Sequence, residues 1–335
     1  VVDTPIGKKT FKTFLENPVS TTMSLVILYR GDIVFEYYPH QEDYEKPIYW
    51  SVTKIIVSTL VGMLEEEGLV DITKPVSSYI KDLKNSSYGR ITIENLLNMA
   101  SGFDCADNYF DRSSCYYRYS SAIGDGYWTK ESPSNPYHFV ASLEPKVIAP
   151  QGTKYQYSGV DTFVLGWLIE TVLGMPLHDA ITKKIWMKIG AEADGLMIAP
   201  RNGIPVIHGG LMIRPRDAAR FGLLFTPSYK KVASSRLVSE SFIKRISVIP
   251  NNLQFDKRKQ SQNGKRFAHS AYQWDAVFSN SDYFKGGWAG QGILVNPQKD
   301  LVAVYTGYAI DDNESQPDLL PILRQLLNHI YPSAR

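Results

Sequence analysis

The chain of 335 residues has 44% hydrophobic and 21% charged residues, which is typical of a globular protein with a sizeable core. Its formal net charge of +2 argues against a nucleic-acid-binding surface. The most basic stretch, residues 257–266, is interrupted by Gln, Ser, Asn and Gly, as in a solvated loop. No apolar run approaches the ~20 residues that a membrane span needs. We therefore expect a soluble protein that binds neither nucleic acid nor a membrane, and the sequence leaves its oligomeric state open.

Both ends of the chain have β-forming patterns. Residues 23–29 and 33–38 flank an Arg-Gly-Asp turn and predict a hairpin. Residues 292–295 and 301–305 predict a second hairpin, and the Leu/Ile spacing of residues 319–330 predicts a closing helix. The sequence thus predicts a sheet that both termini build.

The middle of the chain has mainly helical periodicity. Apolar spacing predicts helices at residues 52–64, 93–99, 162–173 and 177–189. We expect an α+β fold in which an antiparallel sheet is flanked by helices and adjoins an all-helical region. Its sheet domain would combine residues 1–75 with 200–335, and residues 76–199 would form the mainly helical domain.

Residues 102–150 are rich in Tyr, Ser, Asp and Gly and lack a sustained period. Long irregular segments in compact enzymes are often lids or binding loops. Seven aromatic side chains of this segment either line a pocket or pack the loop against the body: Tyr109, Phe110, Tyr116, Tyr117, Tyr119, Tyr127 and Trp128.

Cys105 and Cys115 are the only two cysteines, and their proximity favours a disulfide over two free thiols. Such a bridge would stabilise the fold by roughly 2–3 kcal/mol and would suit an oxidising compartment. We expect a periplasmic or secreted protein, while a cytoplasmic location stays open. The chain begins with Val-Val, so we expect a mature or trimmed chain, and the lack of a leader carries no information on export. The histidines are scattered, so we expect no metal site.

Ser51 and Lys54 stand three residues apart at the predicted start of a periodic helix. Residues at this spacing project over nearly the same face, so the amine can reach the hydroxyl as a base reaches a nucleophile. The free N–H groups of a helix start can also stabilise an oxyanion. The alternative is an N-capping serine followed by a solvated lysine, which is commonplace.

Two later segments could complete such a site. Tyr157 stands at a turn before a predicted helix, where a phenol near cations can relay protons, or where an aromatic ring simply anchors the turn. Lys285-Gly286-Gly287 precedes a predicted strand. Its lysine could bind a carboxylate and lower the pKa of Lys54, and its glycines allow a substrate to approach closely. The glycines of residues 287–292 do not fit a dinucleotide fingerprint, and we expect no cofactor.

The chain resembles the serine β-lactamase and penicillin-binding superfamily, and its class C-like branch in particular. The resemblance rests on landmarks that occur in the order typical of that superfamily, of which S-x-x-K is a recognised signature. They are Trp50-Ser51-Val52-Thr53-Lys54, Leu96-Leu97-Asn98-Met99-Ala100-Ser101-Gly102, Gly152-Thr153 with Tyr157-Ser158, Gly209-Gly210-Leu211 with Arg216-Asp217-Ala218-Ala219-Arg220-Phe221-Gly222, and Lys285-Gly286-Gly287.

The resemblance implies a serine acyl-enzyme mechanism and the α+β fold already expected. Ser51 would attack a carbonyl, Lys54 would take its proton, and Tyr157 would shuttle protons to the leaving group. The N–H groups of Ser51 and Trp288 would form the oxyanion hole. The candidate substrate-binding residues are Lys285, Gly286, Gly287, Tyr109 and Tyr117.

Two departures from the superfamily pattern argue against efficient β-lactam hydrolysis. Gly159 stands where class C enzymes carry the Asn of Tyr-x-Asn, and Gly286 stands where true β-lactamases tend to carry Thr. The branch also includes esterases, D-amino-acid amidases and aminohexanoate-oligomer hydrolases, and the helix entry at Tyr157 resembles the last group most.

Two functions of different classes follow. The first is a serine hydrolase that cleaves a small ester or amide through an acyl-enzyme on Ser51. The alternative is a penicillin-binding-type sensor or binding protein that captures a peptide or cell-wall fragment without efficient turnover. Turnover after acylation would separate the two, since fold alone does not.

Overall fold

An antiparallel sheet built from both ends of the chain forms the centre of the molecule. The computed structural model describes residues 1–250, 252–255, 261–262, 265–266, 268–310 and 319–332. Within these residues the sheet has seven strands in the order β4-β3-β13-β12-β11-β10-β9. The strands in chain order are β1 (Val2–Thr4), β2 (Gly7–Lys9), β3 (Thr22–Tyr29), β4 (Asp32–Tyr37), β5 (Leu196–Met197), β6 (Leu211–Met212), β7 (Ser261–Gln262), β8 (Lys265–Arg266), β9 (His269–Ala271), β10 (Trp274–Val277), β11 (Tyr283–Gly287), β12 (Gln291–Asn296) and β13 (Leu301–Gly307).

Helices cover both faces of this sheet and form a separate region beside it. The helices of the described residues are α1 (Phe11–Leu15), α2 (Thr53–Glu66), α3 (Ile93–Leu97), α4 (Cys115–Ile123), α5 (Pro136–Ala141), α6 (Gly159–Leu173), α7 (Leu177–Lys184), α8 (Pro215–Leu223), α9 (Glu240–Ser247) and α10 (Leu319–Ile330). Short 3₁₀ turns link them at Trp50–Val52, Val76–Ser78, Lys81–Leu83, Tyr88–Arg90, Trp186–Lys188 and Pro227–Lys231. The predicted α+β fold is confirmed, whereas the domain boundaries near residues 75 and 200 stay a prediction.

The alternation of side chains along the central strands divides the core in two. On β3, Val26 and Leu28 join the larger cluster, which contains α2, α6 and α8, whereas Leu25 and Ile27 join a second cluster with α1 and α10. The helix α6 is buried almost along its whole length and packs against α2, α3 and α7. It therefore fixes the helical region to the helix that follows Ser51.

Residues 102–150 are more ordered than the sequence predicts, because they contain α4 and α5. Ser114 caps α4 by accepting a hydrogen bond from the N–H of Tyr117. Asn135 caps α5 in the same way, with Pro136 at the first helical position. These caps supply the helix signals, while the Tyr- and Ser-rich composition conceals the apolar period.

Other boundaries differ from prediction by a few residues. The helix predicted at 162–173 begins at Gly159, where Ser158 caps it, and the one predicted at 177–189 ends at Lys184 before a 3₁₀ turn. Of the basic stretch predicted as a solvated loop, residues 257–259 lie outside the described residues, and 265–266 form β8, which pairs with β7. The two terminal hairpins and α10 are confirmed.

Across the described residues, no individual helix has the length and apolar character to cross a membrane. A bent pair, Gly159–Leu173 with Leu177–Lys188, meets the length and composition test when taken together.

Candidate active site

Ser51 lies in a tight turn whose backbone is held in an unusual conformation. It is the middle residue of the 3₁₀ turn Trp50–Val52, which runs directly into α2. Trp50 has φ of 44°, in the left-handed region that non-glycine residues rarely adopt and that is often found at functional sites. The N–H of Tyr49 donates to the carbonyl of Leu211 at 2.8 Å and anchors this turn to β6. The first N–H groups of a helix lack intrahelical partners, so this turn is suited to hold an anion.

Lys54 is fully buried one turn beyond Ser51. Its Nζ donates to Ser51 Oγ at 2.9 Å and to the backbone carbonyl of His208 at 2.9 Å. Burial lowers the pKa of Lys54 to about 8, although Asp107 opposes the shift; Lys285 lowers it further. Both oxygens that Lys54 contacts are uncharged, so nothing in direct contact holds the proton on the amine. The structure brings the predicted nucleophile and base together.

Tyr157 lies just before the Ser158 cap of α6 and faces both lysines. Its hydroxyl accepts a hydrogen bond from Lys285 Nζ at 3.1 Å. The ammonium groups of Lys54 and Lys285 lie 5.0 and 4.6 Å from the centre of its ring. Burial nevertheless raises the pKa of Tyr157 well above its ordinary value, and Asp275 and Asp107 act in the same direction. The neighbouring cations therefore do not ionise the phenol.

Lys285 is fully buried on β11 and is paired with Asp275 on the neighbouring strand β10. Its Nζ lies 2.5 Å from Asp275 Oδ1, and the N–H of Gly286 donates to Asp275 Oδ2 at 2.9 Å. Burial lowers the pKa of Lys285, and the Asp275 carboxylate opposes that shift. A substrate carboxylate would have to compete with Asp275, so the predicted role of Lys285 as a carboxylate ligand stays a prediction.

Gly287 lets β11 approach the serine turn very closely. A Cβ atom at this position would lie 2.3 Å from the carbonyl oxygen of Tyr49, closer than real Cβ atoms come to such an oxygen. The next residue, Trp288, is 44% exposed, and its ring packs edge-on against Trp50 at 5.7 Å. Ser51 and Trp288, the two predicted oxyanion residues, both line the cavity beside this contact, and their role stays a prediction.

A cavity of about 630 Å³ opens onto Ser51. Tyr109 and Tyr117, both predicted to bind substrate, belong to its wall, and Tyr109 is 47% exposed. The wall consists of Trp50, Ser51, Tyr109, Phe110, Tyr116, Tyr117, Ser120, Asp125, Gly126, Tyr127, His208, Gly209 and Trp288. Five of the seven aromatic residues named as candidates in segment 102–150 thus face this cavity. The other two are Tyr119, which is buried behind the wall, and Trp128, over which the Arg201 guanidinium lies.

His208 joins the cavity wall to the helical region. Its ring is buried, with Nδ1 2.8 Å from the Tyr119 hydroxyl and Nε2 3.2 Å from Asp125 Oδ2 and 3.3 Å from the Tyr116 hydroxyl. Burial tends to raise the pKa of Asp125. The hydrogen bond to His208 and the charge of that ring have a larger combined effect in the opposite direction, so the pKa of Asp125 is below its ordinary value. The cavity therefore contains a carboxylate that stays ionised at neutral pH.

Three acidic residues near the reactive groups were not predicted from the sequence: Asp107, Asp125 and Asp275. Asp107 and Asp125 come from segment 102–150, where composition indicates only a polar loop. Asp275 faces Lys285 because Ala276 pairs with Phe284 across β10 and β11. That register could have been inferred only by pairing two short strands correctly.

Cys105 and Cys115 are joined by a disulfide, with their Cα atoms 5.0 Å apart. The bridge ties the loop that carries Asp107 and Tyr109 to the start of α4. Within the described residues, no three His, Cys, Asp or Glu side chains form a group that could hold a metal ion.

The fold and this set of side chains define a serine hydrolase. A family model described as Beta-lactamase matches residues 8–308. The chain therefore belongs to the Beta-lactamase family.

Relatives within this family include enzymes named for amide and ester hydrolysis. The 6-aminohexanoate-dimer hydrolase of Paenarthrobacter ureafaciens is 26% identical over 291 residues, covering 84% of this chain and 71% of the relative. A Bacillus anthracis protein provisionally named 6-aminohexanoate-dimer hydrolase superposes with a TM-score of 0.79 at 21% identity, over 100% of this chain and 86% of that one. A family VIII carboxylesterase superposes with a TM-score of 0.65 at 17% identity, over 90% of each chain. The structural likenesses establish the shared fold.

Proposed function

We propose that this protein hydrolyses a small ester or amide through an acyl-enzyme on Ser51. The observation that carries the proposal is a pair of buried contacts next to the cavity that Ser51 lines. Lys54 Nζ donates to Ser51 Oγ at 2.9 Å, and Lys285 Nζ donates to the Tyr157 hydroxyl at 3.1 Å. Both distances are within the reach that proton transfer requires.

Acylation begins when neutral Lys54 accepts the proton of Ser51 as Oγ bonds to the substrate carbonyl carbon. The N–H groups of Ser51 and Trp288 stabilise the negative charge on the carbonyl oxygen. As the C–N or C–O bond breaks, Tyr157 donates its proton to the leaving group. The proton held on Lys54 then restores the phenol, so no net charge accumulates.

Deacylation follows the same path with water as the nucleophile. Water loses a proton to the restored Tyr157–Lys54 pair as its oxygen attacks the acyl carbon, and Ser51 regains a proton when its ester bond breaks. Because burial raises the pKa of Tyr157, the phenol remains a proton donor at neutral pH, and the fraction of Lys54 that is neutral supplies the base. The ion pair with Asp275 keeps Lys285 oriented on the phenol oxygen.

The cavity favours an acyl chain with a flat or apolar body and a positively charged or strongly polar end. Its walls are largely aromatic, and the Asp125 carboxylate is the only acidic group in its lining among the described residues. Linear amides with a terminal amine have this form, and a 6-aminohexanoate-dimer hydrolase is among the relatives of this chain. β-Lactams fit less well, because Gly159 and Gly286 lack side chains that would bind them.

The disulfide between Cys105 and Cys115 supports a location in an oxidising compartment, so we further infer that the protein acts in a periplasm or after secretion. A fusion of the whole product of the gene to a reporter that is active only after export tests this inference. Retention of all reporter protein in the cytoplasm would contradict it.

A substrate panel tests the proposed function directly. It contains p-nitrophenyl esters, D-amino amides, linear ω-amino amide oligomers and a chromogenic cephalosporin. Native protein should turn over esters and amides, and a fluorophosphonate should label Ser51 stoichiometrically. Ser51→Ala should lose both properties, and Tyr157→Phe should acylate slowly while remaining folded.

Ser58→Ala is the matched control, because Ser58 is buried on α2 and, among the described residues, its hydroxyl donates a hydrogen bond to the Ile55 carbonyl alone. This variant should keep full turnover. Unchanged turnover in Ser51→Ala would refute the nucleophile. Labelling of Ser51 without its regeneration over hours would instead identify a binding protein or sensor.

A further inference from the structure

The start of α6 lacks a side chain close to the reactive groups. Gly159 follows Tyr157 by two residues. Its φ is not in the positive range that favours glycine, so its backbone conformation does not explain why a glycine stands there. A Cβ atom there would lie 3.0 Å from Tyr116 Cε2, 3.1 Å from His208 Cδ2 and 3.2 Å from Asp107 Oδ1. The space in front of Gly159 is therefore already filled, in part by a carboxylate from a different segment.

Three hydrogen bonds hold Asp107 in this place, one of them donated by the Tyr109 hydroxyl to Asp107 Oδ2 at 3.4 Å. The N–H of Gly159 donates to Asp107 Oδ1 at 2.5 Å, and the N–H of Asp107 donates to the carbonyl of Tyr157 at 3.1 Å. The Cys105–Cys115 disulfide closes the loop two residues away from Asp107. The carboxylate also meets the positive end of α6, which favours its charge.

The charge of Asp107 acts on the catalytic lysines. Among the groups that keep the proton on Lys54, Asp107 has the largest effect, ahead of Asp275 and Asp125. It acts in the same sense on Lys285. Burial raises the pKa of Asp107 itself, while Lys54 and His208 oppose that rise.

We propose that Asp107 is a positioning residue of this site. Its carboxylate occupies the space of the missing side chain at position 159, joins the disulfide-closed loop to the Tyr157 turn, and places a compensating negative charge beside Lys54. The inference rests on the proposed function, because it assigns Asp107 a role in setting how strongly Lys54, the proposed base, holds its proton.

Asp107→Asn is the central test, because it preserves shape and an oxygen acceptor for the Gly159 N–H but removes the charge. The rate of Ser51 phosphonylation by a fluorophosphonate is measured from pH 6 to 10. Removing a nearby negative charge lowers the pKa of a lysine, so the rising limb should move to lower pH by roughly one unit. The variant leaves unchanged the other charged or titratable residues that face Lys54, which are Lys285, Asp275, Asp125, Tyr157 and His208.

Asp104→Asn is the matched control, since Asp104 is exposed three residues earlier in the same segment. Its profile should match that of native protein. Asp107→Ala should slow labelling on the plateau near pH 10, because it also removes the acceptor of the Gly159 N–H. Adding Gly159→Asn should restore part of that rate, because the amide takes the place of the carboxylate once the rings of Tyr116 and His208 shift by a few tenths of an ångström. An unshifted profile in Asp107→Asn, or an equal shift in Asp104→Asn, would overturn the electrostatic role. A double variant no faster than Asp107→Ala would overturn the shared space.

A second measurement separates this inference from the proposed function. Protein labelled with ¹³C at lysine Cε is titrated by NMR, and the Lys54 resonance is assigned by its loss in Lys54→Arg. Native protein whose Ser51 does not react would refute the proposed function. The Lys54 titration would still test the role of Asp107 in that case. Asp107→Asn should lower the titration midpoint of Lys54 by about the same amount as it shifts the labelling profile, and an unchanged midpoint would contradict the electrostatic role of Asp107.

Discussion

The pH dependence of acylation is the sharpest consequence of the buried lysine. A pKa of about 8 for Lys54, against an ordinary value of 10.5, makes about one molecule in ten a competent base at pH 7. An unperturbed lysine would be neutral in only about one molecule in three thousand. Since the neutral amine accepts the proton of Ser51, the acylation rate should rise roughly tenfold per pH unit below pH 8 and level off above about pH 9.

Stopped-flow acylation by a p-nitrophenyl ester, followed between pH 6 and 10 under single-turnover conditions, measures this profile. The rate should not fall at high pH through ionisation of Tyr157, because burial raises the pKa of that phenol well above its ordinary value. Lys54→Arg, which stays charged throughout, should show neither the rising limb nor a measurable burst.

Three outcomes would refute the reasoning. A flat profile would mean that no titrating base limits acylation. A midpoint near 6.5 would indicate a histidine, and a midpoint near 10.5 would show that burial does not perturb Lys54.

Two further predictions concern the frame of the site. Reducing the bridge between Cys105 and Cys115, or replacing both residues by Ser, should lower the free energy of unfolding by roughly 2–3 kcal/mol and slow ester turnover. Denaturant unfolding with and without reductant measures the change in stability. Equal stability of the oxidised and reduced protein would contradict this prediction. Gly287→Ala should reduce the acylation rate about a hundredfold by pushing β11 away from the serine turn. Gly286→Ala is its comparison, because the added methyl would meet a Phe284 ring edge at 3.3 Å and Asp275 Oδ2 at 3.5 Å, neither as close as the Tyr49 oxygen, so similar rates in the two variants would refute the argument from close approach.

The parts of the fold that local patterns determine could be predicted from the sequence. The hairpins β3–β4 and β12–β13 have alternating or β-branched runs around short polar turns, and α10 has a clear apolar stripe. The helices α4 and α5 could not be predicted in this way. Their signals are single capping residues, Ser114 and Asn135, in a stretch whose aromatic residues face both the core and the cavity.

The residues of the candidate site can be divided in the same way, into those that local patterns reveal and those that depend on tertiary contacts. Ser51 and Lys54 meet because helical spacing brings residues three apart onto one face, which a sequence shows directly. Tyr157 and Lys285 were predicted only through the order of the family landmarks. The carboxylates of Asp107 and Asp275 depend on tertiary contacts, namely the packing of a disulfide-closed loop on α6 and the register of β10 against β11. No local pattern encodes either contact.

The partners of the two lysines, more than their motifs, favour Lys54 over Lys285 as the proposed base. Burial lowers the pKa of both. Lys285 makes a direct ion pair with Asp275, so losing its proton would leave a buried carboxylate without its cation. Lys54 donates instead to a hydroxyl and a backbone carbonyl. The carboxylate of Asp107 raises the pKa of Lys54 through its charge, and the contacts described above include no hydrogen bond between these two side chains. Deprotonating Lys54 therefore breaks no ion pair. The same buried cluster thus holds one lysine charged, to orient Tyr157, and leaves the other able to accept the proton of Ser51.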